Sequence, residues 1–365
     1  MHDSMKFGGD VGRILSQLHW QCWREDPPPL EVEPSGLIAV LPILIRSGSV
    51  GLVWPRLRGQ VDQYGAVAMA LEDAYQAQVA HNEVCQREIV RAVTRLREAG
   101  IEPVLIKGWT NARLYPKHVV RPAGDIDLWV PQSSFVEASR VLSKGEDYES
   151  DVGIDLHGDA HWGDSIPFDL LNGAQEVMIV GEHVHVPCYE DHLRLLGLHL
   201  LAHSASRPLW LCDIALLLES LHTDFDWGRC LGPHDYRASW IRTTIELARQ
   251  VVGAEEANLV PALAGSDPLP IWLISTVMHN WEYPPTMPNA ALFELIASPK
   301  SICSIFKRRW PDPIIATVRC QVPFDRASAR RNQCAAFIGR IIKFSVTVLP
   351  RQVKRLMISH RIQNQ

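Results

Sequence analysis

Two short apolar runs constrain this chain more than any other feature. Val104-Leu105-Ile106 leads directly into Lys107-Gly108, and Ile126-Asp127-Leu128-Trp129-Val130 begins just after Asp125. Neither run is long enough for a buried helix. Each is bounded by turn residues, so each reads as a short buried strand. On the second strand Asp125 and Asp127 stand at i and i+2. They project from one face, roughly 7 Å apart along the backbone. A carboxylate pair beside a glycine turn can hold a divalent metal and the phosphates it neutralises, which points to phosphoryl or nucleotidyl transfer.

The chain on either side has a different rhythm. Helices are predicted over 11–24, stopped by Asp26-Pro27-Pro28-Pro29, and over about 35–46, ended by Ser47-Gly48-Ser49. From about 61 to 99 apolar residues recur at helical spacing (Val67, Leu71, Tyr75, Val79, then Val84, Ile89, Val93, Leu96), with Gly100 as terminator. After the two strands come a helix over 133–143, a third strand in Gly153-Ile154-Asp155-Leu156-His157-Gly158, and a hairpin turning at Gly181-Glu182. Helices are then predicted over 190–206, 208–221, 237–253, 271–281, 290–297 and 332–347. The fold class expected is α+β: a helical region over 1–100, a small mixed β-sheet core over 101–190, and a C-terminal helical domain with a basic tail over 191–365.

Composition enters through charge. The net charge of −5 conceals an asymmetry: residues 301–365 carry 13 Lys/Arg and two acidic residues, against 23 basic and 39 acidic residues before them. Such a tail could contact nucleic acid or an anionic membrane. Its abundant apolar residues favour docking onto the acidic body instead. The eight cysteines are scattered without CxxC spacing, so they read as reduced core thiols. The N-terminal residues lack a charged region followed by an apolar one, and no uninterrupted apolar stretch approaches the ~18 residues of a spanning helix. A soluble, cytoplasmic protein is expected.

The chemistry centres on Asp125 and Asp127 as ligands for Mg²⁺ or Mn²⁺. Asp155 is the third carboxylate, completing the metal shell or accepting a proton from an acceptor hydroxyl. Taken alone, a DxD at a strand start is more often a solvated strand cap. The strand–Lys–Gly–helix unit before it shifts the balance. Gly108 allows close backbone approach to phosphate, amides at a helix start attract anions, and Lys107 and Arg121 supply positive charge. The pattern is not GxxxxGK[ST].

Leu105-Ile106-Lys107-Gly108, Tyr115-Pro116, Arg121-Pro122 and Gly124-Asp125-Ile126-Asp127-Leu128 together resemble a bacterial family of uncharacterised nucleotidyltransferases. That family belongs to the DNA polymerase β-like superfamily. Ile154-Asp155-Leu156-His157, His199 to His203 and Trp210-Leu211-Cys212-Asp213-Ile214-Ala215 extend the similarity, which is strongest over 101–220. The resemblance implies a nucleotidyltransferase core, with Asp125, Asp127 and Asp155 as catalytic and metal residues. It places Lys107, Gly108, Trp109, Thr110 and Arg121 on the triphosphate. It implies Mg²⁺ and a nucleoside triphosphate, ATP being the expected one, with transfer to a hydroxyl of an unspecified small molecule, peptide or protein. The superfamily's usual Gly-Ser is Lys107-Gly108 here. The stretch before Asp155 is short, so Asp159 and Asp169 stand as alternative third carboxylates.

The alternative function is a catalytically inactive relative that binds a nucleotide or partner through the same cleft. A third reading is a helical adaptor acting through its basic tail. His157 and His161 with Asp155 and Asp159 form a possible metal cluster, weighed equally with polar residues leaving a strand. His183 and His185 read as solvent-facing. His199 and His203, at i and i+4, read as packing or facing the site rather than as metal ligands. Asp213, in an apolar helix, needs a partner: one of these histidines, or the substrate cleft.

Overall fold

The computed structural model describes residues 9–143, 152–158, 169–255, 268–285 and 310–343. Helices α1 (Asp10–His19), α2 (Pro34–Ser47), α3 (Val50–Leu57), α4 (Val61–Tyr64) and α5 (Ala66–Glu98) precede the sheet. Strand β1 (Val104–Ile106), helix α6 (Gly108–Ala112), β2 (Ile126–Trp129), α7 (Phe135–Ser143), β3 (Ile154–His157), β4 (Gln175–Ile179) and β5 (Glu182–Val186) follow. Then come α8 (Tyr189–Ala202), α9 (Pro208–Glu219), α10 (Trp227–Leu231), α11 (Asp235–Leu247), α12 (Ile271–Glu282), α13 (Pro313–Arg319) and α14 (Ser328–Lys343). This is the α+β architecture expected from the sequence. The helix predicted over 290–297 and the end of the one over 332–347 lie outside the described residues.

Boundaries moved where tertiary contacts compete with local propensity. Helix α1 ends at His19 instead of continuing to 24, because the Gln21 amide donates to Val252 O at 2.9 Å with Gln21 at φ 53°. Gly65 separates α4 from α5 in the long helical stretch. The hairpin turns one residue earlier than predicted. Ile179 pairs with Glu182, so Val180 and Gly181 are its two loop residues, both with positive φ as a type I′ turn requires. Helix α3 is all but uniformly apolar and only two turns long, which leaves no periodicity to read.

The sheet order is β3-β2-β1-β5-β4. β1 pairs antiparallel with β2 and parallel with β5, while β2 pairs parallel with β3. Alternation along the strands divides the molecule into two apolar layers. Leu105, Ile126, Leu128, Val184 and Val186 face a core closed by Ile89, Val93 and Leu96 of α5 and Ala138 of α7. Val104, Ile106 and Trp129 face the opposite way, into a larger core built from α1–α3 together with α8, α9, α11 and α12. Asp127, two residues before Trp129, therefore projects toward the helical side.

Among the described residues no helix is long and apolar enough to cross a membrane. Cys22, Cys85, Cys188, Cys212 and Cys230 are buried thiols, as expected, whereas Cys334 on α14 is exposed. Ile338, Ile341 and Ile342 are also exposed on α14.

Candidate active site

Register brings the carboxylates together. Because β2 and β3 are parallel neighbours, Asp127 lies directly beside Asp155 and Trp129 beside His157. Asp155 and His157 thus share the face that carries Asp127. His157 Nε2 lies 2.8 Å from Asp127 Oδ1 and 3.2 Å from Asp155 Oδ2. The strand order also sets Ile106 of β1 opposite Asp127, which delivers the next residue, Lys107, to the same oxygen: Lys107 Nζ is 2.5 Å from Asp127 Oδ1. Asp127 and Lys107 are buried, whereas Asp155 is largely exposed.

The turn that carries Lys107 is strained. Lys107 has φ 54° and Gly108 φ 27°. A lysine in that region costs backbone energy and persists only where surrounding contacts hold it. Here the Asp127 ion pair holds one end, and α6, starting at Gly108, holds the other.

These groups line a cleft of about 430 Å³ between the sheet and α8–α9, together with Gly108, Asn111, Arg121, Asp125, His199, His203, Arg207, Trp210 and Asp213. Asp125 is exposed at this cleft, just before β2. The tight cluster is Asp127, Asp155 and His157, whose ligand atoms all lie within 4.8 Å of one another. Two carboxylate oxygens and one imidazole nitrogen form a donor set that fits a divalent cation. The imidazole tilts the preference from Mg²⁺ toward Mn²⁺ or a borderline metal. Of the alternative third carboxylates, Asp159 lies outside the described residues, and Asp169 is exposed away from the cleft.

Arg121, Asp213, Thr110 and Trp109 are each engaged by other groups of the protein. Arg121 is not presented to the cleft as an open phosphate fork. It is buried, with Nη2 donating to Asp213 Oδ2 at 2.7 Å, Nε to Asp213 Oδ1 at 3.2 Å, and Nη1 to Pro122 O at 2.7 Å. Burial opposes its charge, and the Asp213 carboxylate overrides that, leaving its pKa raised. Asp213 also accepts from Tyr115 Oη at 2.9 Å, so its partners are Arg121 and Tyr115 rather than a histidine, and it lines the cleft, the other placement expected for it. Thr110 points away from the cleft, its buried hydroxyl donating to Leu105 O at 3.0 Å, and Trp109 packs against the α5-side core.

On the opposite wall, the rings of His199 and His203 lie 4.4 Å apart, and Trp210 lies 4.8 Å from His199. The Arg207 guanidinium sits 5.3 Å over the Trp210 ring. Burial, then the positive charges of Lys107 and His203, hold His199 well below its usual pKa, so it is neutral at pH 7. Both histidines face the site, as their i, i+4 spacing allowed. The residues sequence reasoning passed over are Asn111 and Arg207. Asn111 is one helical turn beyond Lys107, a spacing that would have put it on the same side. Arg207 carries no local signal, because α8 and α9 bring it to the cleft.

A family model described as "Uncharacterised nucleotidyltransferase" matches residues 33–232, more than half of the chain. No curated protein and no solved structure matches it.

Proposed function

The chain belongs to that nucleotidyltransferase family, and we propose that it moves a nucleoside monophosphate from a nucleoside triphosphate to an acceptor hydroxyl, releasing pyrophosphate. The observation that supports this most is Asp127 beside Asp155 on parallel strands, with Lys107 reaching the same carboxylate. Asp127, Asp155 and His157, with Asp125 beside them, would hold a divalent cation, which when bound offsets charge on the phosphate oxygens. Lys107 positions and neutralises the triphosphate as a point charge. Asp155, the more exposed carboxylate, takes the proton from the acceptor hydroxyl. The acceptor oxygen bonds to the α-phosphorus as the bond to the β-phosphate's bridging oxygen breaks. The α8–α9 wall, with neutral His199, narrows the cleft and limits water. ATP remains the expected donor, and a small molecule, peptide or protein the acceptor.

One observation favours a second reading, a relative that binds nucleotide without turning it over. Lys107 and His157 both occupy Asp127 Oδ1, where a cation would bind. Incubation with labelled ATP, GTP, CTP or UTP, a divalent cation and cell extract separates the two. Transfer predicts a labelled acceptor, with pyrophosphate formed and both lost in Asp127→Asn. Triphosphate binding that ignores both the metal and this substitution, with no labelled product, would establish the second reading.

A further inference from the structure

We propose that Asn111 reads the nucleoside end of the triphosphate and so decides which nucleotide the cleft accepts, an inference that rests on the reading of this cleft as a triphosphate site. Asn111 is 1% exposed and lines the cleft, yet neither its Oδ1 nor its Nδ2 has a hydrogen-bond partner among the described residues. The contrast with other asparagines is direct. Asn82 donates to Arg121 O and accepts from the Ala123 amide, both at 2.9 Å, and buried Asn280 donates to Ser204 O and to Asp312. A buried carboxamide left unpaired at both ends is costly, so its persistence beside a cleft marks a ligand contact.

The amide's chemistry narrows that ligand. It offers N–H donors and a carbonyl acceptor in one plane. Ionised phosphate oxygens only accept, and an ammonium only donates, so either would leave one end unpaired. A donor beside an acceptor satisfies both ends. On a nucleotide that pairing occurs on the edge of the base and on the ribose hydroxyls. Position agrees with this assignment. Asn111 lies on α6, which starts just after Lys107, and both residues line the cleft. The Arg207 guanidinium held over Trp210 in the same cleft offers a planar cationic surface for a base.

Calorimetric titration of the full chain with Mg²⁺ or Mn²⁺ tests this. The probes are inorganic tripolyphosphate, the four non-hydrolysable α,β-methylene nucleoside triphosphates and their 2′- and 3′-deoxy forms. In the wild-type protein one nucleotide is expected to bind about tenfold or more tighter than tripolyphosphate. Asn111→Leu should remove that advantage and leave tripolyphosphate affinity unchanged. Loss of the spread among the four bases assigns the contact to the base edge, and loss of the ribose-to-deoxyribose difference assigns it to the sugar. If Asn111→Leu fails to fold, judged by its thermal midpoint, Asn111→Ala carries the same comparison. The proposal is overturned if a folded variant retains both the nucleotide-over-tripolyphosphate advantage and the discrimination. It is equally overturned if the wild type binds nucleotides no better than tripolyphosphate. Failure of tripolyphosphate and every nucleotide to bind removes the triphosphate reading of the cleft itself.

Discussion

Replacing Asp213 by Ala is expected to destabilise the protein by about 3–5 kcal/mol, because it strands the buried Arg121 guanidinium without its counter-charge. The paired change Arg121→Met with Asp213→Leu should cost much less, since it removes both charges together. Urea unfolding of the three proteins measures the difference. An Asp213→Ala cost below about 1 kcal/mol would show that the pair behaves like a surface bridge. His19 makes a second residue-scale prediction. Its Nδ1–H donates to Leu15 O at 2.7 Å, and its Nε2 is buried without a partner among the described residues. Burial lowers its pKa to about 4, opposed by the Leu15 hydrogen bond and helped by the Arg56 charge. Above about pH 6.5 both folded and unfolded states are neutral at this ring. As the pH falls from 6.5 to 4 only the unfolded state gains the proton, so stability drops, by on the order of 3 kcal/mol. Below 4 the loss stops growing. Urea unfolding at pH 7 and pH 4 should show the wild type losing that much more than His19→Phe; equal losses would remove the effect. Of these residues the sequence flagged Asp213 as needing a partner. It could not identify Arg121, which is far from it in the chain and close only in space.

At the scale of elements, α3 packs its backbone directly against the segment before Arg121. Val120 N donates to Gly51 O at 3.0 Å, and a Cβ on Gly51 would lie 1.8 Å from Val120 O. Gly51→Ala must therefore push α3 off that segment, at an expected cost of about 1–3 kcal/mol. Gly59→Ala, where a Cβ meets nothing within 4 Å, is the matched control and should change stability by less than about 0.5 kcal/mol. Thermal midpoints of the two variants decide it, and a Gly51→Ala midpoint equal to the control's would refute the close contact. Most long elements were legible from periodicity and breakers, α2, α5, α8 and α9 among them. Helix α3 was not, because an apolar run of two turns carries neither a polar face nor a distinctive cap. The hairpin was readable as a hairpin, but its loop residues were not. Val180 is a poor candidate for positive φ on local grounds and adopts it because cross-strand pairing demands it.

For the whole molecule, α1–α3 share one continuous apolar core with α8, α9, α11 and α12, although more than a hundred residues of sheet and α5 intervene. Helices that bury the same surface cannot unfold independently. Calorimetry should therefore show α1–α3 melting in the same transition as the C-terminal helices, with tryptophan fluorescence and far-ultraviolet circular dichroism coinciding. Separate transitions for the two helical regions would contradict this. The sequence alone determined the local chemistry: short strands between helices, a Lys-Gly turn, and carboxylates at strand positions whose faces follow from period-two alternation. Those properties depend on neighbours in the chain, so they are written in it. Only the tertiary structure decided that β3 lies parallel beside β2, which sets His157 and Asp155 against Asp127. It alone turned Arg121 inward to Asp213 and left Asn111 facing the cleft without a partner among the described residues. Each of those outcomes depends on which distant surfaces pack together, and that choice is made by the shared core rather than by any local pattern.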